Sequence, residues 1–224
     1  MSAAQKHYKA IVHIFESNAD TKRAEGAKAY MRNQFEFFGL TAPERKALVR
    51  DYWNGADRLN IEDLPEFIEL CWQHPMREMQ YVGMDTMIQL SKKLQRKDIA
   101  MLELMISERS WWDTVDLVAS RGAGVYFQKF PEEIPLRVES WMQSGNMWLM
   151  RSALLFQLNY KHQTNVQLLE SLIVRLQYHP DFFIRKAIGW VLRQYVRTDA
   201  HFVKNFIQTH DLSALSKKEA LKNL

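Results

Sequence analysis

A four-residue pattern that returns every 34 to 36 positions constrains this chain more than any other feature. A polar or charged residue is followed two positions later by a small or β-branched one. It occurs at Arg45-Lys46-Ala47-Leu48, Gln80-Tyr81-Val82-Gly83, Asp116-Leu117-Val118-Ala119, Arg151-Ser152-Ala153-Leu154 and Arg185-Lys186-Ala187-Ile188. The steps are 35, 36, 35 and 34 residues. His-Pro also recurs, at His74-Pro75 and His179-Pro180, each shortly before one of these segments. A step of this size is one helix–turn–helix unit of an α-solenoid of the HEAT-like class, whose units bury their apolar faces by stacking.

The local signals agree. Eight Gly and six Pro are spread over 224 residues, and no stretch alternates β-branched and polar residues for long. Asp98–Glu108 and Val166–Tyr178 carry apolar residues at helical spacing. Pro43, Pro65, Pro75, Pro131, Pro135 and Pro180 each sit where one pattern stops and another begins. The expectation is an all-α superhelix of HEAT-like repeats with a basic concave groove, one domain over residues 1–224.

Several function classes are excluded. No apolar h-region follows Met1, and no apolar run approaches the ~20 residues of a bilayer span, so neither a secretory signal nor a membrane anchor is expected. Cys71 is the sole cysteine, which removes a disulfide framework and fits a reducing cytoplasm. Cys71-Trp72 reads as the buried end of an apolar helix, not a nucleophile. The seven histidines offer no i,i+4 pair and no His-Glu-x-x-His, so no metal is expected. No Gly-rich phosphate loop is present, and no cofactor is expected.

The repeat gives particular residues a context. Arg45, Gln80, Asp116, Arg151 and Arg185 would form a ladder along the concave surface, unless their position faces a neighbouring helix. In that case an acid and an arginine pair between units as structural glue. Tryptophans accompany the later members: Trp112 and Trp148 precede Asp116 and Arg151, and Trp190 follows Arg185. In Ser110-Trp-Trp-Asp-Thr-Val-Asp116, Ser110 reads as an N-cap with Asp113 returning a bond to it. Trp111 then anchors the helix to the core. Asp116, one turn after Trp112, is either buried and paired or faces a cleft. The formal charge of +4 lies wholly in residues 111–224, with 14 basic and 10 acidic residues against 16 and 16 before them, and Phe182 to Thr198 lacks acids. Such an excess suits a polyanion. Trp53, Trp72 and Trp141 are assigned to the core, and the methionines to gaps between helices.

One carboxylate flanked by tryptophans, with arginines from nearby helices, suits a cationic sugar-like transition state. The acid stabilises charge at the anomeric carbon and orients water. The aromatic faces attract the cation, and the arginines grip phosphates.

The run Ser110–Asp116, with Asn146-Met-Trp-Leu-Met-Arg151, Ile184-Arg-Lys-Ala-Ile-Gly-Trp190 and the ending Leu212–Leu221, resembles the AlkD-type DNA alkylation-repair glycosylases. The resemblance implies hydrolysis of the N-glycosidic bond of cationic alkylpurines, chiefly 3-methyladenine and 7-methylguanine types, in duplex DNA held by a HEAT-like fold. It places the catalytic aspartate on Asp116, the cleft tryptophans on Trp112 and Trp190, a phosphate-contacting arginine on Arg151 and a cleft tyrosine on Tyr30. Arg185 is expected either as a phosphate contact or as a bond to a neighbouring unit. Lys186 and Arg193 are expected as DNA contacts or as solvated residues. A monomer is expected.

Overall fold

The computed structural model describes residues 1–223, and these are helical with no strand among them. Fourteen α-helices follow one another: α1 (Ala3–Ser17), α2 (Thr21–Tyr30), α3 (Ala42–Gly55), α4 (Leu64–Gln73), α5 (Arg77–Leu90), α6 (Ile99–Ser107), α7 (Trp112–Leu117), α8 (Gly124–Lys129), α9 (Ile134–Gln143), α10 (Met147–Leu155), α11 (Val166–Leu176), α12 (Phe182–Tyr195), α13 (Ala200–Thr209) and α14 (Ala214–Ala220). The all-α, helical-repeat expectation holds.

The helices start and stop where their sequences dictate. Thr41 and Glu44 form a capping box on α3, and Asn146, Asn165, Asp181, Asp199 and Ser213 each accept a first-turn N–H of the helix that follows. Pro43, Pro65 and Pro135 occupy the first two positions of α3, α4 and α9, where their missing N–H has no helical partner to lose. The two His-Pro turns are alike: His74 Nδ1 accepts from the Met76 N–H, and His179 Nδ1 from the Asp181 N–H, both at 3.1 Å.

The chain divides into two compact units, residues 1–101 and 102–224, within α6. In the first, α1 packs on α3 and α4, and α4 packs on α5. Its core includes Phe15, Phe67, Ile68, Met79 and Met87, all fully buried. Trp53 and Trp72 are buried there as expected, as is Cys71, whose thiol is pushed up in pKa by that burial. Arg45 and Gln80 are both buried, although Arg45 also lines a cavity of about 500 Å³ with Asp85. Arg45 is buried and bonds Asp85 at 2.8 Å, while Gln80 donates to the carbonyls of Cys71 and His74. At these two positions the repeat turns its polar residue toward a neighbouring segment.

In the second unit α7, α10, α12 and α14 adjoin in series, with α9 and α11 against α10. Trp141 is buried and donates to Glu103, and Glu139 pairs with Arg175. Both bonds span about one repeat. Between α7 and α8 the backbone forms a π-helical turn over Val118–Ala123. Its Ser120 hydroxyl donates to the Asp116 carbonyl, and its Ser120 carbonyl accepts from Asn159.

Gly189 lets α14 lie against α12. A methyl there would overlap the Glu219 β-carbon and sit 2.7 Å from the Ser216 carbonyl oxygen. Gly189→Ala is expected to lower stability by about 1–3 kcal/mol through overpacking, a fall in Tm of roughly 2–10 °C. Gly26→Ala, in the open middle of α2 where nothing lies within 4 Å, is expected to raise stability by about 1 kcal/mol. Thermal unfolding of the two variants checks both signs.

Candidate functional site

Asp116 and Arg151 meet at the centre of the second unit. Arg151 Nε donates to Asp116 Oδ1 at 2.7 Å and Nη2 to Oδ2 at 2.8 Å, a bidentate pair from α10 to α7. The remaining terminal nitrogen, Nη1, donates to the Phe183 carbonyl in the first turn of α12. Both residues are buried, Arg151 at 4% exposure and Asp116 at 9%. The two readings of Asp116 left open by sequence prove to be one: it is paired, and it also lines a cavity of about 370 Å³. Burial pushes its carboxyl above the ordinary carboxylate range, with the Arg151 guanidinium pulling the other way and the neighbouring Asp113 charge adding to the rise. Both oxygens accept charged N–H groups, an arrangement that fits the ionised form.

The cap assignment needs correcting. Ser110 does not begin α7: its hydroxyl donates back to the Ile106 carbonyl, closing the end of α6. Trp111, extended at φ −156°, is the N-cap, and no side chain caps the helix. A serine between two helices can serve either end, and here the orphan carbonyl of α6 takes it. Trp111 packs its ring on Trp148 and Phe183, at centroid distances of 5.9 and 5.2 Å. It braces α7, α10 and α12 as an aromatic anchor.

Trp112 and Trp190 line the cavity from α7 and α12, with Trp112 36% exposed. Phe182 and Phe183 complete its aromatic wall. Lys186, Trp190 and Arg193 lie at i, i+4 and i+7 on one face of α12, so all three reach this cavity. Arg185, adjacent in sequence, points elsewhere. Its guanidinium donates to the Pro180 carbonyl, and it lines a separate cavity with Asp211. Tyr30 stands 71% exposed at the end of α2, in the first unit.

Sequence reasoning missed Glu219. It projects from α14 into the same cavity, nearly buried, and bonds Lys186, Arg193 and Lys222. Burial alone would raise its pKa, but the Lys186 and Lys222 ammonium groups hold it down at about 2. The i,i+3 pairing with Lys222 was legible. The approach of α14 to α12, 26 residues back, was not. Among the described residues no group of three His, Cys, Asp or Glu could hold a metal ion, and no helix is long and apolar enough to cross a membrane.

Two comparisons bear on this arrangement. The model of a family described as DNA alkylation repair enzyme matches residues 11–224. A solved structure, a predicted DNA alkylation repair enzyme from Enterococcus faecalis, superimposes with a TM-score of 0.84 at 32% identity, covering 92% of this chain and 96% of that one. No curated protein matches the chain.

Arg151→Met is expected to destabilise the protein by about 3–5 kcal/mol, because it leaves a buried carboxylate without its cation. The double variant Asp116→Leu/Arg151→Met is expected to recover most of that loss in urea unfolding. Glu219 gives a signed pH dependence. Its folded value of about 2 lies below its ordinary 4.5, so its contribution is full above that ordinary value and is lost as pH falls toward 2. Unfolding midpoints between pH 6 and 2.5 are expected to fall less steeply in Glu219→Gln.

Proposed function

We propose, from the premise that the chain belongs to the family of DNA alkylation repair enzymes, that it is a monofunctional DNA glycosylase. It hydrolyses the N-glycosidic bond of cationic alkylpurines, of the 3-methyladenine and 7-methylguanine type, in duplex DNA and leaves an abasic site for base excision repair. The observation that carries this reading is a buried, pre-oriented carboxylate, Asp116, that lines a cavity with two tryptophans.

An N-alkylated purine already bears positive charge. When the C1′–N bond breaks, its electron pair goes to the base, which leaves neutral without a general acid. One carboxylate at the sugar is therefore enough. Asp116 stabilises the positive charge that develops at C1′ and orients a water for attack. The water's oxygen bonds C1′ and its proton is released. Arg151, by fixing both carboxylate oxygens, keeps Asp116 aimed into the cavity, and from the lining of that cavity it also meets a backbone phosphate, as the resemblance implies. Trp112 and Trp190 hold the cationic deoxyribose and base by their faces. Lys186 and Arg193 meet the backbone phosphates. Tyr30 is a further DNA contact, Arg185 is at most a peripheral one, and both compact units belong to one functional domain. The protein acts as a monomer on DNA in the cytoplasm, without a cofactor.

A second reading is a DNA-binding protein that excises no base. The bidentate pair favours it to this extent, that a purely structural acid and arginine would look the same. Asp116→Asn decides between them. It is expected to keep duplex binding and to lower release of 7-methylguanine from methylated DNA by orders of magnitude, read by mass spectrometry of free bases. Undiminished release would end the catalytic assignment, and no release by the wild type would favour the second reading. In the wild type, release is expected to fall on the acid side with an apparent pKa above the ordinary 3.8 of an aspartate, because burial raises Asp116 and only its ionised form stabilises the sugar cation.

A further inference from the structure

An acid in a cleft meant for a polyanion weakens binding unless it does something else. Glu219 is such an acid. Its side chain is only 6% exposed, while Lys186, Arg193 and Lys222 around it are 34%, 25% and 46% exposed. One carboxylate oxygen accepts from Lys186 at 2.8 Å and Lys222 at 2.6 Å, and the other from Arg193 at 2.9 Å. The carboxylate faces inward and the cations keep an outer face. The group carries a net formal charge of +2.

The carboxylate is itself firmly placed. Gly189 admits α14 close to α12, and the Ser216 hydroxyl donates to the Arg185 carbonyl at 2.9 Å. Lys186 and Arg193 lie seven residues apart on α12, about 10 Å along the axis, with Trp190 between them. Without Glu219 these long side chains would repel one another and disperse among rotamers. Each carries up to about 2 kcal/mol of rotamer entropy that a ligand would have to remove.

We propose that Glu219 is a positioning residue for DNA: its buried carboxylate holds Lys186, Arg193 and Lys222 as a fixed cationic cluster that grips the phosphates of the strand entering the cleft beside Trp190. The proposal rests on the reading that DNA enters this cleft, but not on base excision. It sets two roles side by side: Asp116 serves the sugar, and the Glu219 cluster serves the backbone. The cluster trades one unit of attraction for order, since a pre-organised pair of donors loses less entropy on binding than two free ones.

The test is duplex DNA affinity as a function of salt, for the wild type, Glu219→Gln, Lys186→Gln/Arg193→Gln and the triple variant. Glu219→Gln makes the cleft one charge more positive, yet it is expected to weaken binding about tenfold and to reduce the slope of log affinity against log salt by about one. In the Lys186→Gln/Arg193→Gln background, where Lys222 alone remains for Glu219 to hold, the same substitution is expected to change both quantities less than in the wild type. Tighter binding with a steeper slope in Glu219→Gln would overturn the proposal and make the acid a brake on DNA binding. Unchanged affinity with only a lower Tm would overturn it too, leaving a structural brace. If Glu219→Gln does not fold, Lys186→Gln and Arg193→Gln are measured singly; each is expected to reduce the slope by about one, and unchanged slopes in both reject the proposal. A wild type that binds duplex DNA but releases no base would sink the glycosylase reading alone, and the Glu219→Gln result would still decide this one.

Discussion

The guanidinium of Arg151 is the joint on which the cleft depends. Three of its nitrogens reach two other helices: two meet Asp116 on α7, and one meets the Phe183 carbonyl at the head of α12. Taking two charges out of water is unfavourable, and a buried pair often adds little net stability over a well-packed apolar one. Its value here is geometric. A bidentate fork fixes the plane and direction of a carboxylate, which a lysine could not do. The Trp111, Trp148 and Phe183 rings pack around the same junction, so the pair and the aromatic cluster hold one arrangement of three helices. Trp112, Trp190 and the cavity take their places from it.

The repeat was the most legible part of this protein, because its cause is local. Prolines, caps and apolar spacing act within a few residues, and six N-caps and all six prolines fall at helix or helical-turn boundaries. In the matching His74 and His179 turns, 105 residues apart, the imidazole Nδ1 accepts from the backbone N–H two residues on. What the repeat could not tell was which way its polar position points. Arg45, Gln80, Asp116 and Arg151 are all buried, so at these positions the ladder is inter-helix bonding before it is a surface. Arg45 meets Asp85, and Asp116 meets Arg151. The direction depends on how neighbouring helices cross, which no single segment specifies.

The site was half legible for the same reason. Trp112 and Asp116 share one turn, and Lys186, Trp190 and Arg193 share one face of α12, so helical periodicity alone groups them. Joining the two sets required the repeat, since Asp116 and Arg151 are 35 residues apart and α12 follows α10 by one step. Glu219 escaped because its segment, Lys218-Glu219-Ala220-Leu221, continues the repeat 33 residues after Arg185 without specifying that α14 packs on α12. Ser110 was misassigned for a subtler cause. Two helix ends compete for one hydroxyl, and sequence does not rank them.

The charges of the cleft now divide in a way that bears on its chemistry. Under the proposed reaction, a carboxylate beside DNA faces a contradiction: the phosphates that bring the substrate also repel the acid that must act on it. Neutralising the acid outright would remove its power over a sugar cation. Pairing Asp116 with Arg151 opposes the upward push that burial gives its carboxyl, and so favours the ionised form. In the proposed complex Lys186, Arg193 and Lys222, which Glu219 holds together, would offset the phosphates. In the proposed complex, two separate ion-pair systems, one neutral and one cationic, would share the charge around the cavity that Trp112 and Trp190 line.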